Sequence, residues 1–283
     1  NQKNNMFKNK IIIFTNNNRS IEIIRKLKKK FQIELIVTLK KECTKNLFNK
    51  IKKFKIPLLF LNTDYEKLYN KIRLISPNFI ICAGFTKIIP KKILDLASVS
   101  AINLHGGRVP NYLGASTLNW QIINNEKFVY ISALKMNSII DGGPLITEKK
   151  IKLKNNDYID NVQKKLNSAF PKLCLVAINK QLRKFKMINY PISQRIYWRQ
   201  RNKNDSEINI MNSSYLEIYN NIRACSYKNY PAFLKIKNKK YFLNKVKIIN
   251  HRSRLSDKKV IITKKNVIIN FKNKHLLIEI LKK

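Results

Sequence analysis

The first half of the chain alternates short apolar runs with segments whose apolar residues recur every three or four positions. Segments such as 65–75 have this helical spacing. Alternating strands and helices indicate βαβ units, so we expect an α/β fold, a Rossmann-like domain with a mainly parallel sheet. Five apolar runs have the length and the Ile, Leu, Val and Phe content of strands: residues 11–14, 33–38, 57–61, 79–83 and 101–104.

The pattern changes in the second half of the chain. Residues 157–180 have the spacing of one long helix, with Pro171 inside it. From about residue 200, short strands follow one another closely, which is typical of a small β-barrel-like (OB-like) domain. We therefore predict two domains, 1–195 and 196–283, and the polar stretch 201–205 is a candidate linker.

The formal net charge of +42 is extreme for 283 residues. One interpretation is nucleic-acid binding, because Lys and Arg neutralise phosphates and release counterions. The other is a compositional bias, since Lys accompanies abundant Asn and Ile throughout, as an AT-rich genome produces. The basic residues are spread over nearly every segment, which favours the second interpretation. In either case the charge predicts attraction to anions, including phosphorylated small molecules.

The cysteines and the N-terminal residues indicate a reducing, cytoplasmic location. None of the four cysteines forms a Cys-x-x-Cys pair, so we expect no metal site, and Cys82 lies in an apolar run typical of a buried thiol. The polar N-terminal residues lack the apolar core of a signal peptide, and no apolar run approaches the length of a membrane helix. We expect no membrane partner. No Gly-x-Gly-x-x-Gly follows the first strand, so a dinucleotide cofactor is not indicated.

Two short segments carry the candidate chemistry. Asn103 and His105 end the fifth predicted strand, directly before Gly106 and Gly107, and Asp141 precedes two further glycines. Ligands of open α/β sheets bind outside the carboxyl ends of the strands, and a spacing of two places both side chains on one side. An amide and a protonated imidazole can stabilise an oxyanion, while a carboxylate orients the imidazole.

A structural explanation of the same residues is also available. Asn-x-His before glycines occurs in capped turns, and Asp-Gly-Gly is often only a loop. The other two histidines, His251 and His275, lie in the strand-rich C-terminal part, where we expect surface or structural roles.

Longer motifs resemble the formyltransferase family, whose members take a formyl group from N10-formyltetrahydrofolate. The family pattern is Asn-x-His, then a Pro-x-Tyr/Trp-Arg-Gly-Ala-like stretch, then Asp-x-Gly. The resemblance covers most of the chain and is most specific in its core. The matching segments are Ile-Asn-Leu-His-Gly-Gly at 102–107, Pro-Asn-Tyr-Leu-Gly-Ala at 110–115, Asn-Trp-Gln-Ile-Ile-Asn-Asn-Glu at 119–126 and Asp-Gly-Gly-Pro-Leu-Ile at 141–146.

The resemblance implies roles for the matching positions. Asn103, His105 and Asp141 would be the catalytic trio. The family binds the pterin ring of the co-substrate largely through backbone atoms, which implies two segments here. Their residues are Phe85, Ile88 and Ile89 in the first and Asn137, Ile139 and Ile140 in the second. No metal is implied.

Three positions depart from the family pattern. Gly107 stands where Ser is usual, Leu113 replaces a common Arg, and Thr117 replaces a common Pro. Because the trio is intact, these departures concern the loop and the acceptor site more than the chemistry. A catalytically inactive, basic RNA-binding homologue is a further alternative.

Two acceptor amines fit the family: a nucleotide-linked amino sugar and methionyl-tRNA. The net charge and the C-terminal β domain favour tRNA, although similar domains occur in sugar-modifying relatives. The tRNA enzymes carry a basic, Arg-Gly-rich loop after the second strand, whereas residues 37–48 here lead directly into a predicted helix. The Leu-Asn-Trp triplet at 118–120 also looks more like the sugar group. We therefore favour the amino sugar. The sequence does not indicate an oligomeric state.

Overall fold

The computed structural model describes residues 9–225, 230–237, 239–250 and 256–281. His251 lies outside these residues. By its internal contacts the chain divides into two compact units, each made of several segments. The first contains 1–113, 130–151 and 165–197, and the second contains 114–129, 152–164 and 198–283.

A seven-stranded sheet carries the first unit. Its strands are β1 (Lys10–Phe14), β2 (Gln32–Leu39), β3 (Leu58–Leu61), β4 (Phe79–Cys82), β5 (Ser100–His105), β7 (Phe128–Lys135) and β8 (Leu145–Lys152). Their order is β3-β2-β1-β4-β5-β7-β8. The pairs from β3 to β5 are parallel and β7 runs antiparallel to β5, so the predicted mainly parallel sheet is confirmed. Strands β1 and β4 are neighbours although the chain leaves β1 towards β2, which makes their carboxyl ends a topological switch point.

Six helices lie between the first strand and residue 182, and the last of them contains Pro171. They are α1 (Arg19–Leu27), α2 (Lys45–Lys52), α3 (Tyr65–Ile75), α4 (Lys91–Leu94), α5 (Thr117–Ile123) and α6 (Ile159–Leu182). The longer ones follow from apolar spacing: in α1, Ile21, Ile24 and Leu27 are buried at helical intervals. Asp64 caps α3 by accepting a hydrogen bond from the backbone N–H of Lys67 at 2.8 Å.

The second unit contains a five-stranded sheet. Its strands are β10 (Phe233–Ile236), β11 (Lys239–Asn250), β12 (Val260–Ile262), β13 (Asn266–Phe271) and β14 (Lys274–Ile280). Their order is β10-β11-β14-β13-β12 and neighbouring strands are antiparallel, which agrees with the predicted OB-like domain. Helix α7 (Tyr215–Ala224) precedes all five strands and begins with a capping box of Ser214 and Glu217. Strands β6 (Leu113–Gly114) and β9 (Tyr197–Trp198) form a separate two-stranded sheet.

The expected linker at 201–205 is wrong. Residues Lys203–Ser206 form a 3-10 turn, and Arg201 is buried. The guanidinium of Arg201 donates to the carbonyl of Asp205 at 2.9 Å, and Arg199 forms an ion pair with the Asp205 carboxylate. The polar side chains of this stretch form hydrogen bonds inside a folded turn. Composition alone cannot distinguish such a turn from a solvated linker.

Candidate active site

The three predicted catalytic side chains lie together at the rim of the large sheet. Asn103 and His105 are the fourth and last residues of β5, and Asn103 is in register with Cys82 of β4. The Asn103 amide donates a hydrogen bond to Oδ1 of Asp141 at 2.7 Å. Nδ1 of His105 lies 3.3 Å from Oδ2 of the same carboxylate. Asp141 therefore bridges the amide and the imidazole, while Asn103 remains partly exposed.

The turn that presents Asp141 has a backbone that only certain residues can adopt. Asp141 itself has a φ of 50°, in the left-handed region that Asp tolerates better than most residues. A Cβ on Gly143 would lie 1.8 Å from the carbonyl oxygen of Lys135. The glycine after the Asp-Gly pair is thus required by the close approach of β7, and the turn returns the carboxylate to the end of β5.

The His105 ring has a partner at each nitrogen. Its Nε2 lies 2.6 Å from the backbone carbonyl oxygen of Tyr112, and its Nδ1 faces Asp141. A carbonyl oxygen only accepts hydrogen bonds, so this contact places a proton on Nε2. The loop backbone and the carboxylate together fix the ring, which is buried.

Gly107 makes this ring position possible. A Cβ at Gly107 would lie 2.1 Å from the Tyr112 carbonyl oxygen and 2.5 Å from Nε2 of His105. Real Cβ atoms do not approach other atoms so closely, so the serine usual in the family does not fit beside this ring orientation. The departure at Gly107 and the contact between His105 and Tyr112 therefore belong together.

The other two departures occupy buried positions. Leu113 is fully buried against Val109, Leu134 and Leu145, where an arginine would bring an uncompensated charge into an apolar cluster. Thr117 is the buried first residue of α5.

The first predicted pterin segment follows β4. Phe85 is partly buried and meets Phe14 edge to face, with ring centroids 5.3 Å apart. Ile88 is exposed, whereas Ile89 is buried in the core beneath the loop. A contribution of Ile89 to ligand binding would therefore come from its backbone.

A buried asparagine that the motif analysis missed holds this segment. The Oδ1 atom of Asn16 accepts hydrogen bonds from the Thr38 hydroxyl at 3.1 Å and the Leu39 N–H at 2.9 Å. Its Nδ2 donates to Glu42 at 2.9 Å and to the Thr86 hydroxyl at 3.1 Å. Asn16 thereby ties the ends of β1 and β2 to the loop after β4. The only signal in the sequence was a run of asparagines after a strand, which is also typical of a turn.

The second predicted segment is the turn before Asp141. Oδ1 of Asn137 accepts a hydrogen bond from the N–H of Ile139 at 2.9 Å. The side chains of Ile139 and Ile140 are exposed, and the Tyr197 hydroxyl donates to the Ile140 carbonyl at 3.0 Å. The two isoleucines present apolar surface next to Asp141, as a flat aromatic ligand requires.

Cys82 lies directly beside the trio but is chemically inert there. Burial raises the pKa of its thiol to about 12, and the charge of Asp141 acts in the same direction. A thiol rather than a thiolate therefore occupies the end of β4, and we assign it a packing role.

Two further features are absent from the described residues. No group of three or more His, Cys, Asp or Glu side chains within them is placed to hold a metal ion. Within the same residues, no helix combines the length and apolar character needed to cross a membrane.

The fold and the rim cluster define an α/β protein with a Rossmann-like sheet, a cluster of polar side chains at the sheet rim and an additional antiparallel β unit. The chain belongs to the formyl transferase family, because residues 2–178 match the model described as "Formyl transferase" and residues 201–283 match "Formyl transferase, C-terminal domain". The family indicated by the sequence motifs is confirmed.

Individual relatives carry two kinds of name. The methionyl-tRNA formyltransferase of Thermodesulfovibrio yellowstonii is 31% identical over 176 residues, which are 60% of this chain and 55% of that protein. The bifunctional polymyxin resistance protein ArnA of Wigglesworthia glossinidia brevipalpis is 32% identical over 203 residues, 69% of this chain and 30% of that protein. The chain thus spans about half or less of the length of these relatives.

A solved structure shares the fold over nearly the whole chain. The N-formyltransferase from Helicobacter canadensis, in complex with folinic acid and dTDP-3-aminofucose, superposes with a TM-score of 0.73. The match covers 96% of this chain and 100% of that chain at 17% sequence identity. At this identity the likeness concerns the fold.

Proposed function

We propose that this chain transfers a formyl group from N10-formyltetrahydrofolate to the primary amine of a nucleotide-linked amino sugar. The observation that carries the reaction class is the hydrogen-bonded trio at the sheet rim, in a chain of the formyl transferase family. The amide, the imidazole and the carboxylate lie at the carboxyl end of β5, where ligands of such sheets bind.

Formyl transfer needs few catalytic groups. The neutral amine attacks the formyl carbon, and the carbonyl oxygen becomes an oxyanion in a tetrahedral intermediate. The bond from that carbon to N10 then breaks, N10 takes a proton, the amine loses one, and the products are a formamide and tetrahydrofolate. The second N–H of the Asn103 amide is the donor for the oxyanion. The pair of His105 and Asp141 takes up the proton that the amine loses.

The length of one connection supports the amino sugar as acceptor. Strand β2 ends at Leu39 and helix α2 begins at Lys45, capped by Thr44, whose hydroxyl accepts a hydrogen bond from the Leu47 N–H at 3.2 Å. A basic loop such as the tRNA enzymes carry after the second strand has no room in this short connection.

Methionyl-tRNA is the second candidate acceptor. The relatives named methionyl-tRNA formyltransferase and the net charge of +42 favour it. The charge by itself predicts binding of any polyanion, so only a direct comparison of acceptors separates the two candidates.

A panel of acceptors tests the proposal. The protein is incubated with N10-formyltetrahydrofolate and, separately, with dTDP- or UDP-linked amino sugars and with charged initiator tRNA, and tetrahydrofolate release is measured. We expect turnover with an amino sugar and its loss in Asn103→Ala and His105→Ala. His275→Ala, on β14, is the matched histidine control.

Three outcomes contradict parts of the proposal. Turnover with tRNA but with none of the sugars would show that tRNA is the acceptor instead of an amino sugar. Full activity of both Asn103→Ala and His105→Ala would refute the catalytic roles assigned to these residues. Salt-sensitive RNA binding without turnover of any acceptor would favour the inactive, RNA-binding homologue.

A further inference from the structure

A cation that no motif indicated lies beside the catalytic loop. Arg19 is the first residue of α1 and follows the loop after β1, at the switch point of the sheet. Its backbone N–H donates to Oδ1 of Asn17 at 3.0 Å, and the Asn17 amide donates to the carbonyl of Gly84 at 3.3 Å. The start of α1 is thereby fixed to the loop after β4.

The Arg19 side chain extends to the end of β5. Its Nη1 donates to the carbonyl of Leu104, between the two catalytic residues of that strand, at 3.3 Å. The guanidinium carbon lies 4.4 Å from the centroid of the Phe170 ring, a cation–π contact that holds its plane. Nη2 lies 3.6 Å from the position that a Cβ of Gly106 would occupy, so it borders the residue after His105.

Part of this guanidinium is unused. Within the described residues no carboxylate forms an ion pair with Arg19, and Nη2 makes no hydrogen bond to them, although Arg25 on the same helix pairs with Glu22. Nε is buried without a partner in the same part of the chain. Burial lowers the pKa of Arg19 to about 10, which leaves the group positive at neutral pH.

A positioned cation with an unbonded Nη2 beside the end of β5 suits an anion. Guanidinium groups bind phosphate through directed, charge-assisted hydrogen bonds. The Arg19 guanidinium donates to the Leu104 carbonyl, meets the Phe170 ring and lies near Gly106, and none of these residues belongs to the two predicted pterin segments. The acceptor is therefore the better match for this cation than the co-substrate.

We propose that Arg19 is a specificity-determining residue that binds a phosphate group of the acceptor through Nη2. This assignment rests on the proposed function, since a nucleotide-linked amino sugar brings a diphosphate to the rim of the sheet with its amine. It explains why an arginine is held against the catalytic strand without an acidic partner.

The first test separates the two substrates kinetically. With an amino-sugar acceptor, Arg19→Gln is expected to raise the KM for the acceptor about tenfold or more, as loss of one hydrogen bond to a charged group predicts. The KM for N10-formyltetrahydrofolate is expected to stay within about twofold. Arg25→Gln is the matched control, because it removes an exposed arginine of the same helix. Equal acceptor KM values in the two variants, or a rise only in the folate KM, would overturn the assignment.

The second test does not depend on turnover. Inorganic pyrophosphate is titrated into the wild-type protein with 15N-labelled arginine, at about 0.15 M salt to screen the general positive charge. The Nε–H resonance that is absent from the spectrum of Arg19→Lys is assigned to Arg19. If this resonance shifts saturably at a lower pyrophosphate concentration than the Nε–H resonance of Arg25, the result supports the site even if no acceptor is formylated. A resonance that does not move, or moves no earlier than that of Arg25, refutes it whether or not Arg19→Gln folds.

Discussion

Gly107→Ala probes the link between the glycine and the His105 ring. The added Cβ would lie 2.1 Å from the Tyr112 carbonyl oxygen and 2.5 Å from Nε2 of His105. One of these groups must move by roughly 1 Å, because Cβ contacts below 3.0 Å essentially do not occur. Overpacking of this kind costs about 1–3 kcal/mol, and loss of the buried hydrogen bond adds about 1 kcal/mol. We expect the free energy of unfolding to fall by about 2–4 kcal/mol.

The same displacement affects the proposed catalysis. A shift of a catalytic group by about 1 Å can lower the rate about 100-fold. We therefore expect a large fall in kcat and only a small change in the KM for either substrate. Urea unfolding followed by circular dichroism measures the stability effect, and tetrahydrofolate release measures kcat. Gly107→Ser introduces the residue usual in the family with the same Cβ, and is expected to be at least as destabilising.

Gly106→Ala is the matched control for stability. Its Cβ would lie 3.6 Å from the nearest side-chain atom, Nη2 of Arg19, which is ordinary van der Waals contact. Both substitutions reduce the freedom of the unfolded chain alike, so the difference between them isolates the steric clash. If Gly107→Ala is as stable as Gly106→Ala and as active as the wild-type protein, then the imidazole does not occupy the space beside Gly107.

Three other predictions concern stability, reactivity and the loop after β4. The hydrogen bond and ion pair with Arg199 lower the pKa of Asp205 to about 2, so its contribution is complete above about pH 4 and is lost as the pH falls towards 2. Asp205→Asn should remove that part of the pH dependence of urea unfolding, and an unchanged profile would contradict it. Because Cys82 is buried with a pKa of about 12 and Cys43 is partly exposed, a thiol reagent at pH 8 should label Cys43 first in the native protein; early labelling of Cys82 in peptide mapping would contradict its burial. Asn16→Asp replaces the amide donor with an oxygen that faces the Glu42 carboxylate 2.9 Å away. We expect the free energy of unfolding to fall by about 1–3 kcal/mol. A variant as stable as the wild-type protein would contradict the hydrogen bonds described for Asn16.

The secondary structure followed from the sequence because hydrophobic periodicity is a local property. The predicted helical segment 65–75 has the bounds of α3 itself, and the predicted strand 79–83 contains β4. Asn103 and His105 were predicted to share one side of a strand end, and both contact Asp141. The period of two along a strand is sufficient for that inference. Polar composition indicated a linker at 201–205, where the side chains instead form hydrogen bonds within a folded turn.

The sequence by itself determined the alternation of strands and helices in the first half of the chain, the family and the identity of the three candidate catalytic residues, because each depends on spacing and residue type. Only the tertiary structure decided how those residues are held. The proton position on His105 depends on the carbonyl of Tyr112, the need for Gly107 depends on where the ring lies, and the unused cation of Arg19 meets a carbonyl 85 positions away. Contacts of this kind arise from the topology of the sheet, which brings the ends of β1 and β5 to the same rim, and no local pattern encodes them.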